Sequence, residues 1–172
     1  VRFVEGEGPR LDVLAGWAEF EALREAENSA IFTHLAPVFE AVTRIRAALP
    51  HETTLLGFCG APWTVACYMI GGGGTPDLAP ARALAAADRG LVEALIDRLV
   101  DVQTEYLIRQ FEAGADAVQI FESHAGVLPE GDDPLASWSL QPIARMIKGV
   151  RSRVPDAKII VFCRGSGTDG HT

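Results

Sequence analysis

The stretch that most constrains the fold is residues 55–74, LLGFCGAPWTVACYMIGGGG. Leu55 to Cys59 form a short run of apolar and small residues, which reads as a buried strand. Gly60 breaks it. Pro62 stands where the first helical turn tolerates a missing N–H, and Trp63 to Ile70 continue as helix. Gly71 to Gly74 then forbid any regular element and free the backbone. A strand that feeds a helix through a Gly-Ala-Pro elbow sets main-chain N–H groups at the strand's carboxyl end, where α/β folds bind their ligands.

The rest of the chain repeats the strand–helix theme. Residues 1–15 mix Val, Phe, Gly, Glu and Pro without period and read as an extended segment with turns at Gly6, Gly8 and Pro9. A short helix is expected around 17–25. Leu35, Val38, Val42, Ile45 and Leu49 share one helical face, with Pro37 and Pro50 as start and stop. Thr75 to Asp77 read as a polar turn, and the alanine-rich residues 79–87 as a helix. A long helix follows over 91–113, striped by Leu91, Leu95, Leu99, Val102, Tyr106 and Phe111, and Gly114 ends it.

Residues 115–123 read as a second strand. Asp116, Val118, Ile120 and Glu122 share one face; Ala117, Gln119, Phe121 and Ser123 share the other. A loop over 127–136, a helix over 138–150 and a third strand, Lys158 to Cys163, complete the pattern. The tail RGSGTDGHT carries no core signal. Short strands joined by helical crossovers favour a parallel sheet, compatible with a barrel or an open sheet.

Composition narrows the function classes. A 48% hydrophobic and 22% charged chain fits a globular protein. No apolar run approaches the ~20 residues of a membrane span. No secretion signal is seen, and three cysteines without metal-like spacing fit reduced thiols in the cytoplasm. A net charge of −8 argues against nucleic acid as a partner. GGGG lacks the GxGxxG spacing and no Lys-Ser/Thr follows it, so no nucleotide loop is expected. Ser123 and His124, adjacent on a strand, would point to opposite faces and form no dyad. Cys59 and Cys67 read as buried thiols, and Glu122 as structural.

GFCGAPWTVACYMIGGGG, with VRFVEGEGPRL at 1–11, AGADAVQIFESHAG at 113–126 and KIIVFCRGSG at 158–167, resembles the uroporphyrinogen decarboxylase family in the family's own order. The resemblance covers essentially all 172 residues, as a single partial domain from the middle of chains about twice as long. It implies an α/β fold of the eight-stranded (β/α) TIM-barrel type, of which this chain holds the third to fifth strands, about three central βα units. It also implies a cytoplasmic enzyme, homodimeric at full length. That enzyme converts the four acetates of uroporphyrinogen III to methyls, giving coproporphyrinogen III in haem synthesis. No cofactor is required, because the pyrrole ring is itself the electron sink, and no metal is expected. The polyanionic substrate runs against the acidic composition.

The resemblance places the family's central aspartate and arginine pair upstream of these residues, and its histidine downstream. What it carries onto this chain is a supporting set. Tyr68 matches a tyrosine bordering the catalytic aspartate, and Ser123 a serine that hydrogen-bonds a substrate carboxylate. Phe58 and Phe121 match aromatics lining the cleft. Gly60 offers backbone donors, and Arg164, at the end of the third strand, faces the polyanion. Read without the resemblance, Tyr68 is an ordinary core tyrosine and Ser123 an ordinary cap. Two other readings stand beside it: a corrinoid-linked methyltransferase barrel, which would need a zinc-binding His/Cys cluster not visible here, and a non-catalytic remnant or binding domain. Three barrel strands alone leave open edges, so the isolated segment is expected to be inactive and prone to aggregate.

Overall fold

The computed structural model describes residues 2–4, 8–74, 78–129 and 131–165. The chain opens with a hairpin, β1 (Arg2–Val4) and β2 (Gly8–Arg10), followed by helices α1 (Trp17–Glu25), α2 (Asn28–His34) and α3 (Ala36–Ala48). Then come β3 (Leu56–Gly60), α4 (Pro62–Gly71), α5 (Ala79–Ala87) and α6 (Arg89–Glu112). Last are β4 (Ala117–Glu122), a π-helical turn (Ala136–Leu140), α7 (Gln141–Arg153) and β5 (Ile159–Cys163). The expected Thr75–Asp77 turn, and the tail from residue 166 on, lie outside the described residues.

The elbow forms as the sequence dictates. β3 stops at Gly60, the Ala61 N–H donates to the Phe121 carbonyl at 2.8 Å, and α4 starts on Pro62. β3, β4 and β5 make one parallel sheet in that order, with Gly60 opposite Phe121 and Phe121 opposite Phe162. Consecutive parallel strands in unreversed order need a crossover of one hand at each step, which carries the helices to a single side. Both α4 and α6 lie against the sheet, and α7 packs on α6. Between them Trp63, Leu95, Leu107, Val118, Ile120, Met146 and Val150 are buried in one apolar core. The sheet and its helices make a mixed α/β arrangement with a parallel sheet, compatible with part of a TIM-type barrel.

The opposite sheet face is bare among the described residues. Phe58 is 63% exposed, Leu56 48%, Ile160 46% and Phe162 46%. The free edge of β3 is not bare. Asp116 N–H bonds the Leu55 carbonyl and Ala61 N–H bonds the Phe121 carbonyl, so the polar groups of Phe58 must point the other way, off the edge. Gln110, buried on α6, takes both: its Oε1 accepts the Phe58 N–H at 2.9 Å and its Nε2 donates to the Phe58 carbonyl at 3.0 Å. A Cβ at Gly57 would fall 2.5 Å from that Oε1, so only glycine leaves room for the amide.

Several expectations need correction. Arg2–Val4 and Gly8–Arg10 pair antiparallel, Arg2 opposite Arg10, a pairing that the reading of an extended segment with turns did not include. α2 was not foreseen, because Asn28–His34 is short and has no apolar period of its own. The striped face of α3 is only part-covered among the described residues: Leu35, Val42 and Leu49 are half-buried, but Val38 is 37% and Ile45 47% exposed. That helix is also tied through Arg46, whose guanidinium donates to Asp116 at 2.7 Å and to the carbonyls of Thr53 and Pro50 at 2.9 and 3.0 Å. The Leu55 N–H donates to the same Asp116 carboxyl, and with Arg46 beside it holds it below the usual carboxylate range. α6 starts at Arg89 rather than Leu91 because Asp88 caps it, its Oδ1 accepting the Leu91 N–H at 3.0 Å. Gly114 ends it at φ 108°, a conformation closed to most side chains.

Candidate functional site

At the carboxyl end of the sheet the strands stop short of the residues that matter. β4 ends at Glu122, not Ser123, and β5 at Cys163, so Ser123 and Arg164 each open a turn just past a strand. The two turns are tied together. The Arg164 N–H donates to the Glu122 carbonyl at 2.8 Å, and the Gly126 N–H to the Arg164 carbonyl at 3.1 Å. Gly165 holds φ 80°, and a Cβ on it would lie 3.0 Å from the Gly126 Cα, so backbone meets backbone here and neither position has room for a side chain.

These turns and α4 border a cleft of about 520 Å³. Tyr68 and Gly74 form one wall, Ser123 and His124 the second, and Gly126, Val127, Arg164 and Gly165 the rest. Three of the expected site residues, Tyr68, Ser123 and Arg164, therefore converge on one opening. Tyr68 is 41% exposed, so its hydroxyl is not consumed by the core. No carboxylate lines the cleft among the described residues, and its one full charge is positive. The −8 of the whole chain is carried elsewhere.

Phe58, Phe121 and Gly60 are placed apart from this cleft. Phe58 and Phe121 meet edge to face at 6.1 Å on the bare sheet face, and Phe162 extends the row from Phe121 at another 6.1 Å. Gly60 stands at the end of β3, opposite Phe121, where a Cβ would press to 2.8 Å on Val65.

The sequence reading missed His124. Strand alternation ends with β4, so it does not keep His124 on the face opposite Ser123; both border the cleft. The His124 ring lies 5.8 Å from the Tyr68 ring, and its Nε2 is buried without a partner among the described residues. Burial, and then the nearby Arg164 guanidinium, hold the imidazole below its ordinary range, so it is neutral near pH 7. The reading also missed how Glu122 is held. A carboxylate in the same alternation as Val118 and Ile120 was the available signal: it goes to the covered face, where it is fully buried. Among the described residues, no group of three or more His, Cys, Asp or Glu side chains is placed to hold a metal ion.

Comparison with known proteins covers the residues of both the elbow and the cleft. The family model described as uroporphyrinogen decarboxylase matches residues 1–171. The chain belongs to the uroporphyrinogen decarboxylase family. Curated relatives of that name include one from Sinorhizobium fredii, 53% identical over 167 residues, and one from Agrobacterium fabrum, 50% identical over 167 residues. A third, from Brucella anthropi, is 48% identical over the same number of residues. Each alignment covers 97% of this chain and 47% of the relative, so the chain spans about half the length of the curated relatives it matches. No helix among the described residues is long and apolar enough to cross a membrane.

Proposed function

We propose that this chain forms three central βα units of a (β/α)8 barrel that decarboxylates uroporphyrinogen to coproporphyrinogen, and that the cleft beside Tyr68 receives substrate carboxylates. The observation that carries the reading is the convergence of Tyr68, Ser123 and Arg164 on one opening that no carboxylate lines among the described residues. Protonation of the ring carbon next to the one that bears an acetate puts positive charge in conjugation with that substituent. CO2 then leaves, and the bond's electrons pass into the ring to give an exocyclic methylene. This carbon takes a proton to become the methyl as the ring carbon gives its proton back. Groups that fix the other carboxylates without adding negative charge keep the ring oriented while this happens.

In this reading Arg164 is the cation for one carboxylate and the Ser123 hydroxyl donates to it or to a neighbour. The Tyr68 hydroxyl, at the wall of the cleft, orients either the substrate or the aspartate that the family resemblance puts upstream. Phe58, Phe121 and Phe162 offer the apolar floor on which a tetrapyrrole face can rest, and Gly60 keeps that floor free of side chain beside Phe121. No cofactor enters. The same reading carries a cytoplasmic homodimer, and the three buried cysteines suit a reducing compartment.

The test uses the full-length gene product and follows coproporphyrinogen formation from uroporphyrinogen. Tyr68→Phe and Ser123→Ala are each expected to lower kcat/KM by ten- to a hundredfold, a loss of one or two transition-state hydrogen bonds, while circular dichroism and melting stay unchanged. Unchanged kinetics in both would remove them from the site.

A further inference from the structure

Glu122 is the last residue of β4 and faces the covered side of the sheet, where it is fully buried. No cation pairs with it among the described residues. A carboxyl group in such a place costs more than the apolar residue that would fill the same space, so packing does not account for it. Its partners do. The Thr64 hydroxyl in the first turn of α4 donates to Glu122 Oε1 at 2.5 Å, and the His124 N–H donates to the same oxygen at 3.1 Å. Ser139, in the π-helical turn, donates to Oε2 at 3.3 Å.

Thr64 is the link to the cleft. Because its proton is committed to Glu122, its oxygen is left to accept, and it takes the Ser123 N–H at 2.9 Å. Glu122 thus sets the polarity of the threonine and, through it, fixes the backbone of the residue whose hydroxyl borders the cleft. The His124 N–H, bound directly, pins the next residue of the same turn. These bonds add to those that already tie the turn: Gly126 with Arg164, the Val127 N–H on the His124 carbonyl, and the Trp63 indole N–H on the Val127 carbonyl.

We propose that Glu122 is a positioning residue for the reaction, acting through Thr64 to hold Ser123 so that its hydroxyl meets a substrate carboxylate. This rests on the decarboxylase reading of the cleft. The serine then approaches the substrate from a turn that is rigid before binding, and the ordering of that turn is not charged against affinity.

Glu122→Ala strands three donors and is expected to unfold the chain, so the test goes through the link. Thr64→Val, Thr64→Ser, Ser123→Ala and the Thr64→Val/Ser123→Ala pair are made in the full-length gene product, and KM and kcat for uroporphyrinogen are measured. Thr64→Val is expected to raise KM about three- to tenfold, the worth of one hydrogen bond, and Thr64→Ser to restore it. In the Ser123→Ala background, Thr64→Val should change KM less than about twofold, because the group it positions is gone. An equal penalty in both backgrounds, or none in either, overturns the positioning role. Ser123→Ala alone separates this from failure of the cleft reading: if it changes nothing, that reading falls and the inference with it, whereas an effect from Ser123→Ala with an additive Thr64→Val brings down only the inference.

Discussion

The two faces of one strand, β4, are built on opposite terms. Val118 and Ile120 are both fully buried against the helices, whereas Phe121, one residue on, looks onto a face where its neighbours Phe58 and Phe162 are 63% and 46% exposed. The covered face is closed by residues nearby in the chain: Trp63 follows β3 by three positions, and α6 runs straight into β4. The bare face holds a row of aromatic rings, Phe58 against Phe121 and Phe121 against Phe162. Apolar surface is normally withdrawn from water where it can be, so a row of three rings, two exposed and the middle one half-buried, marks a face meant to be met by something else. The covered side carries the stability, and the bare side, together with the turns at its carboxyl end, carries what is available for binding.

That contrast is sharpest in adjacent substitutions. Ile120→Ala removes a side chain with no exposure and is expected to cost ~2–5 kcal/mol in urea unfolding of the full-length gene product. Phe162→Ala removes a larger side chain from the bare face and is expected to cost less than ~1.5 kcal/mol, the value of its edge contact with Phe121. Equal losses would mean that the bare face is packed in the complete molecule as tightly as the other. The 172-residue chain by itself provides the converse test. With that face open it is expected to self-associate in light scattering, and Phe58→Ser with Phe162→Ser is expected to raise the monomer fraction. A parent chain that is monodisperse and unfolds cooperatively would contradict the idea that this face needs covering.

The legibility of the sequence followed the same division. The elbow at Gly60–Pro62 and the helices at 17–25 and 79–87 could be read locally, because a breaker, an N1 proline and helix formers act within a few residues. The parity of β4 was readable too, and it put Phe121 on one face and Glu122 on the other. The α3 stripe and its prolines correctly marked a helix, but amphipathicity says only that a face wants a partner: Val38 and Ile45 stay exposed, and the helix is held through Arg46 and through Phe39 against Tyr106. His124 was hidden because alternation was carried two residues past the strand's end at Glu122. The Thr64–Glu122–Ser139 cluster joins residues 58 and 17 apart, and no local pattern announces such a meeting.

Glu122 gives the covered face a pH signature of smaller size. Burial pushes its carboxyl above the ordinary range, against the hydrogen bonds from Thr64, His124 and Ser139 that favour the anion. In the unfolded chain it ionises at the ordinary carboxylate value. Its contribution to stability is therefore complete below that value and is lost as pH rises through the raised one. His124, held low, acts in the other direction: the unfolded chain takes up its proton first as pH falls, so stability drops there. Subtracting the stability of Glu122→Gln from that of the parent, pH by pH, cancels the histidine. The difference is expected to decline from acid toward neutral pH, and a flat difference would mean that the carboxyl titrates normally in its buried site.

The smallest expected signal is silence from the cysteines. Cys59 on β3 and Cys163 on β5 are buried, and Cys67 is buried within α4. Burial pushes the Cys59 thiol up to about 12, and it raises Cys67 and Cys163 as well, with the Glu122 carboxylate adding to both. Alkylation proceeds through the thiolate, and a thiol raised this far is almost wholly protonated at mildly alkaline pH. Iodoacetamide is therefore expected to leave all three unlabelled in the folded full-length gene product and to label them after urea unfolding, as read by mass spectrometry of the peptides that carry them. Rapid native labelling of Cys59 would place the covered face of β3 in contact with solvent and undo the distinction between the two faces at its strand of origin. Native labelling confined to Cys163 would instead locate the weakness at β5, the strand with Val161 already 36% exposed, and would leave the β3–β4 half of the comparison standing.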